Sequence, residues 1–256
     1  MIMEETIQRL LEMKMLAMAA TLREMQATPR TEPLSTEETI GLLVDREWTE
    51  RENKRLHRLL KDARVPSGVS VEEIACEPAR GIDKALVRNL ASCQWVRAKQ
   101  NVIVTGMTGT GKSYVSAALA EAACRHGYRA LRVRVPRLLD QLAIARSDGS
   151  YGTTLGRLAK LDVLVLDDLL IAPMKDTERR DLLEVLEDRY DQRSTVVTSQ
   201  VPTKTWHEML ADPTVADAIC DRLVHNAHVL SLKGPSIRKK KGLGEGGGEK
   251  GPDDKR

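Results

Sequence analysis

Apolar residues recur at three- to four-residue intervals over 3–27, at Ile7, Leu11, Met18, Leu22 and Met25, which predicts one amphipathic helix. Pro29 and Pro33 are expected to break it. Ser35-Thr36-Glu37-Glu38 reads as a capping box, the hydroxyl and the carboxylate each satisfying an orphan amide at a helix start. The helix that follows is expected to run to about Arg64, carrying Ile40, Leu43, Trp48, Leu56, Leu59 and Leu60, until Pro66-Ser67-Gly68 ends it. From about residue 70 the period changes. Short β-branched runs at 101–105, 129–135, 163–166, 195–198 and 229–232 read as strands, and 112–126, 136–147 and roughly 176–192 as helices between them. Strands alternating with helices predict an α/β fold with a parallel sheet covered on both faces. Beyond Arg238 the chain is rich in Lys, Gly and acids and is expected to be disordered.

Composition narrows the classes. The 256 residues allow one or two domains with a real core, and 40 Lys+Arg against 37 Asp+Glu leave a net charge of +3. That balance excludes a bulk polyelectrolyte, so nucleic-acid affinity must come from local patches. Six of the nine methionines lie in the first 25 residues, which reads as flexible helix packing. Cysteines 76, 93, 124 and 220 form no CxxC pair, which argues against a zinc site or a disulfide framework. No apolar run approaches the ~20 residues of a membrane span, and Glu4 and Glu5 stand where a signal peptide is basic. The expectation is a cytoplasmic protein without a membrane partner.

Gly106-Met107-Thr108-Gly109-Thr110-Gly111-Lys112-Ser113 fits GxxxxGK[ST], directly after a strand and before a helix. The glycines turn backbone amides inward around phosphates, and the helix N-terminus adds positive potential. Lys112 supplies a point charge to the terminal phosphates of ATP, and the Ser113 hydroxyl is placed to ligate Mg2+. Val163-Leu164-Val165-Leu166-Asp167-Asp168 is an apolar strand ending in two acids, where open α/β sheets bind ligands. Asp167 is expected to hold the metal, and Asp168 to orient or deprotonate the attacking water. The 55 residues from Lys112 to Asp167 hold one helix–strand–helix unit, so a strand is inserted between the two motif strands, as in ATPases that use a catalytic acid. At the end of Ser194-Thr195-Val196-Val197-Thr198-Ser199-Gln200, either Thr198 or Ser199 is placed to hold water or sense the γ-phosphate. Arg222, in a helical stretch, and Arg238, after Gly234-Pro235-Ser236, are candidates to complete the site, one across a subunit boundary and one in cis.

The order of these motifs resembles the IstB proteins, transposition-helper ATPases of bacterial insertion sequences, over roughly residues 5–240. Leu90-Ala91-Ser92-Cys93, Ala122-Ala123-Cys124-Arg125-His126-Gly127-Tyr128 and the stretch from Ser199 to Trp206 add to the likeness. A more distant similarity runs to DnaC helicase loaders and DnaA initiators of the AAA+ class. The resemblance implies an AAA+ P-loop core, with Thr198 as the first sensor, Arg222 as the arginine finger and Arg238 as the second sensor. It further implies ATP-dependent homo-oligomeric assembly on double-stranded DNA and handover to a partner transposase. Two departures stand out: Asp168 where the family often has glutamate, and Gly234-Pro235-Ser236-Ile237-Arg238 where it often has GESYR.

The implied organisation is a helical DNA-binding and assembly domain over 1–68, the ATPase domain over 69–238 and a basic tail over 239–256. Candidate DNA contacts are Lys54, Arg55, Arg58 and Lys61 in one cluster, and Arg132 and Arg134 in another with Arg125, Arg129 and Arg137; Lys239-Lys240-Lys241 opens the tail. Three Trp and four Tyr offer little base stacking, which favours duplex-backbone binding over single strands. A replicative helicase loader shares every nucleotide motif and is the nearest rival. A small-molecule kinase is disfavoured by the second acid, and an ATP-binding scaffold without turnover rests on the Asp168 departure alone.

Overall fold

The computed structural model describes residues 2–28 and 34–236, and the chain divides into two compact units, Met1–Arg58 and Leu59–Arg256. Pro29, Pro33, Arg238 and the tail lie outside the described residues.

The first unit holds α1 (Ile2–Glu12), α2 (Leu16–Ala27) and most of α3 (Thr36–Ala63). The single helix expected over 3–27 is two. Lys14 takes φ 59°, and Met15 donates its amide back to Leu10 at 2.8 Å, closing the first helix so that the second folds against it. Ile7, Leu10, Ala19, Leu22 and Leu43 make the small core. The capping box forms as expected: the Glu38 amide donates to Ser35 Oγ at 3.2 Å, and the Ser35 amide to Glu38 Oε2 at 2.8 Å. Ile40 and Trp48, expected among the apolar positions of α3, are instead exposed, while the charged Glu47 is buried. Its Oε2 accepts the amides of Ala17 (2.9 Å) and Met18 (3.3 Å), the first-turn donors of a helix with no side-chain cap of its own. Burial raises the Glu47 pKa, but the Arg51 hydrogen bond and the two amides outweigh it and leave it below the ordinary value. A depressed carboxyl pKa gives stability that is present above the unfolded value and is lost as pH falls through the folded one. Glu47→Ala is therefore expected to destabilise the helical unit by about 1–2 kcal/mol at neutral pH. Helicity followed by circular dichroism from pH 7 down to pH 3 should show wild type losing this increment and converging on the variant.

The second unit is built on a five-stranded parallel sheet in the order β2-β3-β4-β1-β5. Its strands are β1 (Asn101–Gly106), β2 (Ala130–Arg134), β3 (Val163–Leu169), β4 (Ser194–Ser199) and β5 (Ala227–Leu232). Between them run α6 (Lys112–Arg125), α7 (Val135–Asp148), α8 (Tyr151–Ala159), α9 (Asp176–Glu187), α10 (Trp206–Leu210) and α11 (Pro213–Val224). Two short helices, α4 (Lys84–Ala91) and α5 (Gln94–Arg97), precede β1 in a stretch where the sequence pattern shows no element. A buried Trp95 closes that stretch, its indole donating to Leu90 O at 2.9 Å. The strand standing between β1 and β3 in space is β4; β2, which lies between them in sequence, forms the sheet edge.

Alternation along the strands sorts the two faces. Ile103, Val133, Leu164, Leu166 and Val197 join residues of α7, α8, α9 and α11 in one buried cluster. Arg132, Arg134, Val163, Val165 and Asp167 alternate with these and so occupy the opposite face, where α6 packs. Arg189, 1% exposed, ties the entrance of the sheet together. It donates to Leu158 O (2.7 Å), Leu161 O (2.9 Å), Ser194 O (2.5 Å) and Thr195 Oγ1 (3.2 Å), and burial pulls its pKa down to about 9.

Candidate nucleotide site

The loop 106–113 joins the C-terminal end of β1 to the first turn of α6. Gly106 takes φ 149°, and a Cβ there would stand 2.5 Å from Leu232 O. Gly109 takes φ 83° and lies against Ser236, whose Cβ would be 2.7 Å from a Cβ at that position. No other residue type fits either place. Lys112 is 6% exposed and folds its ammonium back over the loop, donating to Met107 O at 3.0 Å. Thr110 Oγ1 also reaches Met107 O (2.8 Å), and Thr108 Oγ1 donates to Gln200 Oε1 beyond β4 (2.9 Å).

Asp167 ends the apolar run of β3 and is 1% exposed. Its Oδ1 accepts from Thr198 Oγ1 at 2.9 Å and from Ser116 Oγ at 3.1 Å, and its Oδ2 is ion-paired with Arg132. Ser116 Oγ also lies 3.2 Å from Ser113 O, so the acid sits over the first turn of α6, beside the loop serine. Asp168 follows in a β-bulge: the β3–β4 register shifts between Leu166 and Leu169, and Asp168 takes φ 62°. Neighbouring residues on a flat strand point to opposite faces. The bulge turns Asp168 so that Arg134, two residues from Arg132 on the same face of β2, donates from Nε to its Oδ2 at 2.8 Å. Thr198, fully buried on β4, joins the two acids: its hydroxyl donates to Asp167 and accepts the Asp168 amide at 3.0 Å. Ser199 Oγ instead holds the bulge, donating to Leu169 O at 2.8 Å. A cavity of about 150 Å³ opens beside Asp168, with Val135, Leu139, Asp140, Leu170 and Glu178 in its wall.

The structure thus brings the loop, Asp167, Asp168 and Thr198 together at the C-terminal ends of β1, β3 and β4. Arg222 lies elsewhere. It sits near the end of α11, where its carbonyl accepts from Asn101 Nδ2 (2.8 Å) at the start of β1. Five residue steps along β1 separate that point from Gly106, about 17 Å at the usual rise. Its guanidinium pairs with Glu187 Oε1 at 2.6 Å and donates to Ala218 O at 3.2 Å. Ser236, two residues before Arg238, rests on the loop at Gly109. Of the basic residues singled out for DNA, Arg132 and Arg134 are engaged by the two acids, whereas Lys54, Arg55, Arg58 and Lys61 are exposed on α3. Lys54 and Arg55 meet Glu50 (3.1 Å) and Glu52 (3.6 Å) within the helix.

Sequence reasoning missed Arg80, which donates from Nη2 to Thr110 O in the loop (2.9 Å) and accepts the Lys233 amide at its carbonyl (2.8 Å). It missed Ser116 as a partner of Asp167 as well. Neither residue falls in a motif; each is defined by a contact between distant parts of the chain.

The oxygen donors fit magnesium. One buried carboxylate and one hydroxyl are what that ion takes from protein when phosphates and water complete its shell. Among the described residues no group of three or more His, Cys, Asp or Glu suits a softer or more fully caged metal. No helix among them is long and apolar enough to cross a membrane.

A parallel sheet in this order, with a phosphate loop after β1 and acids at the end of β3, is a P-loop domain with an AAA+ type of fold. The solved DnaC helicase loader shares the fold, with a TM-score of 0.54 over 65% of this chain and 98% of that one at 16% identity. The chain belongs to the IstB-like ATP binding protein family, whose pattern it matches over residues 8–244. It is 41% identical to a Sinorhizobium fredii protein named as an insertion sequence ATP-binding protein, across 93% of this chain and 98% of the relative. A Pseudomonas fluorescens protein, named for ATP binding in insertion sequence IS1162, is 44% identical across 80% of this chain and 89% of its own.

Proposed function

We propose that this chain is an ATPase that assembles on duplex target DNA, in an ATP-bridged homo-oligomer, and recruits or stimulates a partner transposase. The observation that carries this reading is the place of Arg222. Phosphoryl transfer needs a cation over the terminal phosphate as charge spreads across its oxygens. Within one chain Arg222 stands at the far end of the sheet from the loop, beside Asn101. A neighbouring subunit can present it to the loop, so nucleotide joins subunits as it is bound. Sequence kinship to insertion-sequence ATP-binding proteins supports a role beside a transposase.

The geometry of the described residues supports the following division of roles. Amides of the loop and Lys112 hold the phosphates, and Ser113 with Asp167 holds magnesium, which would screen phosphate charge when bound. Asp168 takes the proton of the attacking water once Arg134 releases it. Thr198 fixes the spacing of the two acids through its single hydroxyl, and Arg238 is proposed as the cis arginine. On α3, Lys54, Arg58 and Lys61 recur at i, i+4 and i+7 with Arg55 beside them, a stripe suited to a phosphate backbone.

Such a stripe neutralises few phosphates per subunit, so affinity should come from many subunits aligned on one duplex. The expected result is weak binding to a 20-base-pair duplex with or without ATP, and tight, ATP-dependent binding to 60 base pairs. That affinity should fall steeply with salt and vary little with sequence. Tight ATP-independent binding to the short duplex would defeat the assembly reading, and strong discrimination between scrambled duplexes would defeat the backbone reading.

A further inference from the structure

Asp167, 1% exposed to solvent, is held unevenly: two hydroxyls donate to Oδ1, whereas Oδ2 accepts no hydrogen bond and is met only by the charge of the Arg132 guanidinium. Ser116 and Thr198 are neutral donors anchored on α6 and β4, and a carboxylate oxygen that accepts from them carries its full charge. Arg132 differs on every count. It is a cation, its side chain is 23% exposed, and it stands on β2, the edge strand, from which a long side chain can swing outward without repacking the sheet. Its Nε is buried without a hydrogen-bond partner, so one side of the guanidinium gains nothing from staying.

We propose that Arg132 is the internal counter-cation of the magnesium site. It occupies Asp167 while no metal is present and is displaced from Oδ2 when the metal arrives. The inference rests on reading Asp167 as the metal carboxylate, and adds to it a second cation competing for the same oxygen. The physical need is plain. A carboxylate buried this deeply without a partner charge is strongly destabilising, so a chain that spends time without nucleotide requires a substitute for the metal. Two cations drawn to the same oxygen repel each other strongly at that range, so magnesium and the Arg132 guanidinium compete for Oδ2. Displacement thereby delivers a free guanidinium to the edge strand beside Arg134, and the competition raises the metal concentration at which nucleotide binding becomes magnesium-dependent.

The test is a magnesium titration of nucleotide binding, read by the fluorescence of a labelled non-hydrolysable ATP analogue, on wild type, Arg132→Gln, Arg132→Met and Asp167→Asn. The glutamine keeps a neutral donor toward Asp167 and the methionine keeps the volume. Circular dichroism establishes that the variants are folded, and either one suffices. With the competitor gone, half-maximal magnesium enhancement should move about tenfold lower, the scale of one partly buried ion pair, while affinity in EDTA stays near the wild-type value. An unchanged or higher magnesium requirement overturns the proposal. So does a loss of affinity in EDTA with the magnesium midpoint unmoved, which would make Arg132 a phosphate ligand instead. Asp167→Asn separates the two layers: persistent magnesium enhancement in that variant sinks the reading of Asp167 itself, whereas its loss, with Arg132→Gln unshifted, sinks only the counter-cation.

Discussion

Lys112→Ala is expected to lower ATP affinity by about a hundredfold, the worth of one or two charge-assisted hydrogen bonds to phosphate. Lys112 is the single side-chain cation of the loop 106–113. Its ammonium already lies over the loop at Met107 O, 6% exposed, so little rotamer freedom remains to be lost when phosphate arrives. The loop amides and the N-terminus of α6 survive the substitution and leave a residual anion site. Alanine is a good helix former, and position 112 opens α6, so the fold should hold. Titration with a fluorescent ATP analogue, with circular dichroism to confirm folding, measures the effect. Unchanged affinity would remove the loop from the phosphate site.

Asp168→Asn should leave ATP and magnesium binding intact while turnover falls by about 10²–10⁴, the usual contribution of a general base. Asp167→Asn should instead lose the magnesium dependence of nucleotide binding. The two acids are neighbours in sequence, yet their surroundings differ. Asp167 is sealed beneath two hydroxyls and Arg132; Asp168 stands in the bulge beside an open cavity, held by the more exposed Arg134. One environment suits a fixed ligand and the other a group that must turn toward water. Phosphate release and magnesium-dependent nucleotide binding, measured side by side on both variants, check the division of labour. Identical behaviour in the two assays would show that it is wrong.

What the sequence discloses depends on how far apart the partners lie. The phosphate loop, the acidic strand and the Ser35 capping box are legible because each is complete within a few residues and its spacing carries the chemistry. All five strands are legible for the same reason, as short apolar runs between helices. The break at Lys14 is not, since the apolar period continues across it and only the packing of α1 on α2 requires the turn. Glu47 is hidden for a related cause: a charged residue reads as surface unless one knows that an uncapped helix start lies 30 residues away in sequence. Arg132 and Arg134 look like a basic patch because the acids that engage them are 34–35 residues further on. Single-residue identity carries charge; only the β2–β3 register says where the charge is spent.

The left-handed backbone at Asp168 has a bearing on how this position changes over evolutionary time. At φ 62° an L-residue is under steric pressure that aspartate and asparagine tolerate several-fold better than most. The glutamate that family resemblance leads one to expect is a longer acid with no such tolerance. A lineage whose strand bends this sharply can therefore exchange glutamate for aspartate to suit the turn, with no selection on the rate of hydrolysis. On that view the substitution records the shape of β3.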